Sequence, residues 1–285
     1  MFKIAAGPDF VKPHTSTMAT KLIEFRNKEN ETIRGIMNIS QSDCKTGVIM
    51  LHGFEGAAST EIKSKFLADE LAKIGVASLR LDFSGCGLSD GDLFDTTISK
   101  QSEEFKESIA VFRKKIGQAD LNIFAHSLGA CSVALAINDI GREIGKIVFM
   151  SPVLNQKDML RYYFATNIMK IKDPQMKITW ENYRQYLDEE AFLKDCARIT
   201  KILRPSFDGQ KYFMTSKDID LSGVFKSYGE RILCILGDQD PSAPMASISA
   251  DFSNRIIVCG GDHHLEKTKS MRQQWLGKAM DFLRK

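Results

Sequence analysis

The stretch Leu121-Asn122-Ile123-Phe124-Ala125-His126-Ser127-Leu128-Gly129 predicts a strand, a tight turn and the start of a helix. Its first four residues form a largely apolar run of the length expected for a buried strand. Ala125 and Gly129 stand two positions either side of Ser127, where a tight turn needs small residues. Such a serine is also an ordinary helix N-cap, and the pattern arises by chance roughly 0.4 times in a chain of this length. Its surroundings must therefore decide its meaning.

Short apolar runs alternate with amphipathic stretches from Gly47 onward. Runs of this kind, bounded by turn residues, are typical of strands buried on both faces. Between two of them, residues 105, 109, 112 and 116 are apolar and fall on one face of a helix. The alternation predicts an α/β fold with a mainly parallel central sheet and helices on both faces. The predicted strands are 48–51, 77–81, 121–124, 147–150, 232–236 and 256–258.

The two ends of this pattern differ from its middle. Segments 21–26 and 32–37 predict an antiparallel hairpin at the start of the fold. Residues 155–225 contain five of the six tyrosines but no clean strand–helix unit, which favours an inserted, mostly helical cap. We therefore expect three regions, listed here by residue number. They are an N-terminal extension (1–18), an α/β core (19–154 and 226–285) and the cap (155–225).

Composition excludes several classes of protein. The 285 residues are 43% apolar and 26% charged, which is globular rather than disordered. A net charge of +3, from scattered basic and acidic residues, argues against nucleic-acid binding. No apolar run approaches the ~18 residues of a membrane span, so we expect no stable membrane insertion. We expect a cytoplasmic protein, although the composition of residues 1–18 leaves a transit segment open.

The cysteines do not form a metal or redox motif. The six thiols are widely spaced, and the closest pair, Cys234 and Cys259, are 25 residues apart. That spacing excludes a zinc ribbon and a C-x-x-C pair. We expect all six to be reduced.

Polar loops follow three further predicted strands. They are His52-Gly53-Phe54-Glu55-Gly56, Gly237-Asp238-Gln239-Asp240-Pro241 and Gly260-Gly261-Asp262-His263-His264. Parallel α/β sheets place their sites at the carboxyl ends of strands, where these loops and Ser127 would meet. A carboxylate at a strand end can orient an imidazole, and an imidazole can activate a serine. Together the four segments predict a site for nucleophilic catalysis.

Two of these loops contain competing residues. In the acid loop we favour Asp240 over Asp238. In the last loop the base is His263 or His264, since His126 is too close to Ser127 along the chain. Paired histidines can also bind metal, but a catalytic metal site usually needs three protein ligands and no third has a matching spacing. We therefore predict no metal and no cofactor.

These residues carry a family resemblance that extends over most of residues 20–285. The elbow around Ser127 and the chain order Ser127, Asp240, His263 resemble the α/β-hydrolase superfamily. Residues 82–91 look like the D-x-x-G-x-G-x-S-x-G loop of many such enzymes. Within the superfamily, the chain is similar to the group that contains feruloyl esterases, monoacylglycerol-lipase-like hydrolases and proline-aminopeptidase-like hydrolases. Two positions differ from what is common in these relatives. Ala125 replaces the first glycine of the elbow, and Ser84 stands where Arg or Asn is common.

The resemblance implies a serine hydrolase of carboxylic esters. Ser127 would attack the acyl carbon, His263 would act as base, and Asp240 would orient it. The N–H groups of Phe54 and Leu128 would form the oxyanion hole. The partner would be a small-molecule ester, uncharged because the cap is rich in aromatic rings. Hydrolysis of amides or thioesters, acyl transfer, and a binding protein that retains the fold stay open, as does the oligomeric state.

Overall fold

The structure is a computed structural model that describes residues 18–40, 44–54, 56–194, 210–248 and 252–284. Nearly all of the predicted N-terminal extension, and Cys196, therefore lie outside the described residues. The strands are β1 Met18–Arg26, β2 Thr32–Ser40, β3 Thr46–Leu51, β4 Ala77–Asp82, β5 Asp120–His126, β6 Ile144–Met150, β7 Ile232–Gly237 and β8 Arg255–Val258. The helices of more than one turn with full bounds are α1 Ile62–Lys73, α2 Ile98–Ile116, α3 Gly129–Ile140, α4 Gln156–Lys172, α5 Gln210–Ser216 and α6 Lys269–Leu283.

Within the described residues, eight strands form one sheet in the order β1-β2-β4-β3-β5-β6-β7-β8. β1 and β2 form an antiparallel hairpin, and β2 pairs antiparallel with β4. All later neighbours pair in parallel. The predicted α/β fold with a mainly parallel sheet is confirmed, and each predicted strand lies inside an observed one.

Side-chain alternation along the central strands explains why their sequences read as continuous apolar runs. Ile49 and Leu51 of β3 belong to the core cluster that contains residues of α2 and α3. Val48 and Met50 point the other way, into a cluster with residues of α1 and α6. Because successive side chains of a strand face opposite sides, a strand covered by helices on both faces must be apolar at every position.

The local sequence determines where helix α2 begins, which face it buries and where it ends. The Thr97 hydroxyl accepts the N–H of Lys100 and caps the first turn. The predicted apolar face is buried, from Phe105 to Ile116. Gly117 ends the helix with a φ of 61°, which glycine adopts without steric cost.

The segment between β6 and β7 contains α4, a short 3₁₀ turn at Tyr183–Gln185 and α5. Its described residues form an isolated bridge between Asn155 and Asp220 but no strand. Their rings make two apolar clusters, one around Tyr162 and Tyr183 and one of phenylalanines. The division of the chain into a core and a cap stays a prediction. In the described part of the chain, no helix has the length and apolarity needed to cross a membrane.

Candidate active site

Ser127 lies in a strained turn between β5 and α3. Its φ is +51°, in the left-handed region that residues with a side chain rarely adopt. Two backbone hydrogen bonds of Ser127 hold the turn. Its N–H donates to Met150 O (3.0 Å), and its carbonyl oxygen accepts the N–H of Val153 (3.2 Å). Strain of this kind persists only where surrounding contacts enforce it, and it is common at functional sites.

Close packing explains the small residues around the turn. A β-carbon on Gly129 would lie 2.7 Å from the carbonyl oxygen of His52, so only glycine fits there without a shift. Ala125 is fully buried in β5, beside Leu51 of β3 and Phe149 of β6. A methyl group is accommodated at this position, which accounts for the departure from the usual glycine.

The structure brings three of the sequence-predicted residues into one hydrogen-bonded chain. His263 Nε2 lies 2.8 Å from Ser127 Oγ, and His263 Nδ1 lies 2.8 Å from Asp240 Oδ2. A carboxylate only accepts hydrogen bonds, so Nδ1 carries a proton and donates it to Asp240. In the neutral ring Nε2 is then left to accept the hydroxyl proton of Ser127.

Asp240, and not Asp238, contacts the imidazole. The Asp240 side chain is almost fully buried, and its Oδ1 accepts the N–H groups of Ser242 and Ala243, each at 2.8 Å. Burial raises the pKa of this carboxyl, but the bonds from His263 and the two N–H groups outweigh it and lower the pKa below its usual value. Asp238 instead accepts the N–H of Gly261 at 3.2 Å. This bond joins the loop after β7 (residues 237–241, the acid loop) to the loop after β8 (residues 260–264, the base loop).

His263, and not His264, contacts Ser127. The two backbone N–H groups after His263, those of His264 and Leu265, both bond to Asp262 Oδ1, which forms a tight turn. The His264 ring packs at 5.5 Å from the His263 ring, measured between centroids. Burial, with the nearby positive charge of Lys63, lowers the pKa of His264.

His52 shapes the loop after β3 through two hydrogen bonds of its ring. It is fully buried, and its Nε2 accepts the N–H of Phe83 at 3.0 Å. Its Nδ1 is therefore the protonated nitrogen and donates to Gly53 O at 2.7 Å. Phe54 and Leu128 both line the cavity beside Ser127, and Leu128 is the N-cap residue of α3.

The cavity above Ser127 has a volume of about 1220 Å³ and two kinds of wall. One wall is apolar and comes largely from α4 and α5. The other is polar and comes from α1, the elbow and the base loop. The apolar wall includes Met159, Leu160, Tyr162, Tyr163, Phe164 and Phe213, and the polar wall includes Thr60, Glu61, Lys63, His126, His264 and Glu266.

The charged residues of the polar wall were not predicted from the sequence. Lys63 is fully buried, with Nζ 3.2 Å from Glu61 Oε1 and 3.7 Å from Glu266 Oε2. Burial would raise the pKa of Glu61, but the neighbouring positive charge of Lys63 acts in the opposite direction, and the pKa lies below its usual range. Glu266 lies 203 residues from Lys63, whose N–H it accepts, so no local pattern marks the pair.

Three histidine rings, those of His126, His263 and His264, meet beside Ser127. His126 lies 5.0 Å from His263 and 5.4 Å from His264 between centroids. Burial and the charge of Lys63 lower the pKa of His126 to about 4, so the ring is neutral at neutral pH. Over the residues that the structure describes, no group of three or more His, Cys, Asp or Glu side chains is arranged to hold a metal ion.

Comparisons with known proteins agree with this architecture. Residues 47–264 match the family model described as the alpha/beta hydrolase fold. No curated protein sequence gives a significant match to the chain. The solved structures that are similar to this chain include esterases. All three described next are below 25% identical to it, so their similarity shows a shared fold and no more.

Est1E from Butyrivibrio proteoclasticus, solved with ferulic acid bound, is 21% identical with a TM-score of 0.65, over 92% of this chain and 99% of that one. The Pyrococcus furiosus esterase Pf2001 is 17% identical with a TM-score of 0.64, over 100% of this chain and 98% of that one. The alpha/beta hydrolase GrgF from Penicillium sp. sh18 is 16% identical with a TM-score of 0.64, over 93% and 98%. The family model matches most of the chain, and the eight-stranded, mainly parallel sheet agrees with the fold that the model describes. This protein therefore belongs to the α/β-hydrolase family.

Proposed function

We propose that this protein is a serine hydrolase of carboxylic esters that acts through an acyl-enzyme on Ser127. The observation that carries the proposal is the chain of 2.8 Å contacts from Ser127 Oγ to His263 Nε2 and from His263 Nδ1 to Asp240 Oδ2. A serine hydroxyl is a weak nucleophile unless an adjacent base removes its proton. The proposal is also supported by the esterases among the similar structures.

The reaction would proceed in two halves. Ser127 Oγ attacks the ester carbon while its proton passes to His263 Nε2, and Asp240 stabilises the imidazolium that forms. The N–H groups of Phe54 and Leu128 bind the oxyanion. The leaving alcohol takes the proton from His263 as the tetrahedral intermediate collapses. Water then attacks the acyl-enzyme and gives a proton to His263. As this second tetrahedral intermediate collapses, His263 returns the proton to Ser127 Oγ and the acid is released.

The cavity supports an uncharged ester with an apolar or aromatic acyl group as the substrate. Its apolar wall offers rings and thioether groups to such a substrate. Four acids that the sequence places in the predicted cap are absent from the described lining of the cavity, and Glu189 is paired with Arg161 at 2.6 Å. They are Glu181, Asp188, Glu189 and Glu190.

An amine-binding site, as an aminopeptidase needs, has weaker support. Glu61 does line the cavity, but Lys63 neutralises it at 3.2 Å and the Ser64 hydroxyl donates to it at 2.9 Å. A substrate ammonium would meet the charge of Lys63 beside the carboxylate. Amide and thioester hydrolysis and acyl transfer would use the same three residues, and the experiment below separates the first two from ester hydrolysis.

We propose that residues 155–225 form a cap over the site. Two contacts support this. The Tyr163 hydroxyl of α4 donates to Ser242 O in the acid loop at 2.5 Å. The Tyr212 ring of α5 packs 4.7 Å from the Phe54 ring, between centroids. The segment is thus tied to the two loops that flank Ser127 and can form the roof that selects the substrate.

The test has two parts. A fluorophosphonate should label the wild-type protein at Ser127 and should not label Ser127→Ala. A panel of neutral esters of short, medium and aromatic acids should be hydrolysed faster than thioesters or aminoacyl amides, with no loss on adding a chelator. Absence of labelling would favour a binding protein, and faster cleavage of an aminoacyl amide than of any ester would favour the peptidase alternative.

A further inference from the structure

His126, the residue before the proposed nucleophile, joins the elbow to the loop that carries the base. Its Nε2 lies 3.0 Å from the backbone carbonyl oxygen of His263. A carbonyl oxygen only accepts hydrogen bonds, so Nε2 carries the proton and donates it. This bond connects residues 137 positions apart, of which one precedes Ser127 and the other is the proposed base.

The environment of His126 selects this tautomer. In the neutral ring a proton on Nε2 leaves Nδ1 without one, and among the described residues Nδ1 has no hydrogen-bond partner. Nδ1 faces Glu61 Oε1 at 3.7 Å, and the Lys63 ammonium lies 3.2 Å from the same oxygen. The groups that face the ring are thus Glu61, Lys63, His263 and His264. Glu61 Oε1 lies beyond hydrogen-bond distance of Nδ1, whereas the His263 carbonyl oxygen lies within hydrogen-bond distance of Nε2.

We propose that His126 is a positioning residue that holds His263 in line with Ser127 through the bond from its Nε2–H to the His263 carbonyl. This inference rests on the proposed hydrolase function, because it assigns His126 a role in that reaction. The geometry gives the reason. The base loop has no regular secondary structure at residues 261–264, and a displacement of about 1 Å can cost 10²-fold in rate. A fixed donor on the rigid elbow limits that displacement.

Amide side chains test the tautomer directly. A glutamine amide reaches about as far as the Nε2 of histidine, whereas an asparagine amide reaches only as far as Nδ1. His126→Gln should therefore retain the donor to His263 O, and His126→Asn and His126→Ala should lose it. His264→Asn is the comparison for lost ring packing, because the His264 ring packs against the His126 and His263 rings. Its side chain makes no hydrogen bond to Ser127 or His263 among the described residues.

The experiment measures kcat, KM, the rate of Ser127 labelling by a fluorophosphonate, and the melting temperature of all five proteins. We expect His126→Gln to stay within about threefold of wild type in kcat, and His126→Asn and His126→Ala to fall by about 10²-fold with little change in KM. His264→Asn, which removes ring packing but no hydrogen bond, should lose less kcat than either of these two variants. Labelling of Ser127 should slow in the same two variants, because it needs the same base.

Three results would overturn the inference. Asparagine could support activity as well as glutamine, or alanine could retain the wild-type rate. The losses could also follow the melting temperature in every variant, including His126→Gln, which would indicate a packing role alone. Failure of the proposed function is distinguishable, because then the wild-type protein itself would neither be labelled nor turn over esters.

Discussion

Gly53 and Ser127 approach so closely that a β-carbon on Gly53 would lie 2.9 Å from the β-carbon of Ser127. It would also lie 3.1 Å from His126 Nδ1. The loop after β3 can therefore reach the elbow only because residue 53 has no side chain. Any side chain there must separate the proposed oxyanion loop from the proposed nucleophile.

Gly53→Ala should lower kcat by about 10²-fold, because the displaced loop carries the Phe54 N–H away from the reacting oxygen. Steady-state kinetics on one neutral ester measure the effect. Gly277→Ala is the matched control, since it lies within α6 with nothing within 4 Å of the added carbon. It should leave kcat unchanged and stabilise the fold by roughly 0.4–1 kcal/mol. Full activity in Gly53→Ala would argue against this position of the oxyanion loop.

Ser127→Ala should reduce kcat by on the order of 10⁶, as the loss of the serine does in other triads. The alanine β-carbon occupies the same place, so folding should be little affected. Mass spectrometry after fluorophosphonate treatment identifies the labelled residue in the wild-type protein. Labelling at another serine would remove Ser127 from the proposed role.

His263→Ala should be nearly inactive, because His263 Nε2 is the ring nitrogen that hydrogen-bonds Ser127 Oγ. His264→Ala should only be impaired, through loss of packing against the His263 ring. The comparison requires kcat for both variants and circular dichroism to check that they fold. If His264→Ala were the more damaging change, the base would be assigned to the wrong histidine.

Asp240→Asn should cost roughly 10⁴ in kcat, since an amide in place of the carboxylate no longer fixes the Nδ1–H tautomer of His263. Asp238→Asn should cost far less, because that carboxylate contacts Gly261 N and not the imidazole. The ratio of the two kcat values is the measurement. Equal losses would mean that the acid loop acts as a unit and not through Asp240 alone.

Asp240 should also make folding stability depend on acid pH. Its pKa is lowered in the folded protein, against about 3.9 for an unperturbed aspartate. The unfolded state therefore binds more protons in this range, so this contribution is complete above the unfolded pKa and is lost as pH falls through the lower, folded pKa. The decrease in melting temperature from about pH 5 to about pH 3 should be smaller for Asp240→Asn than for wild type. An equal fall in both would contradict this.

Much of the fold could be predicted because the relevant signals are local. The run 48–51 had to be apolar throughout, since helices cover both faces of the strand, and the small residues around Ser127 mark a tight turn. The candidate triad could also be named in advance, because parallel strands end at the same edge of the sheet. Topology therefore brings Ser127, Asp240 and His263 to that edge whatever the details of packing.

Only the tertiary structure showed which of two neighbouring candidates contacts the imidazole and which residues remote in the sequence bond to each other. Asp238 and Asp240 look alike in the sequence, and the direction of their side chains off one loop separates them. The pairing of Lys63 with Glu266 and the bond from His126 to the His263 carbonyl join parts of the chain that no periodicity connects. Hydrogen bonds depend on the angle and distance between two groups, and for distant residues both are set by how the helices and loops pack.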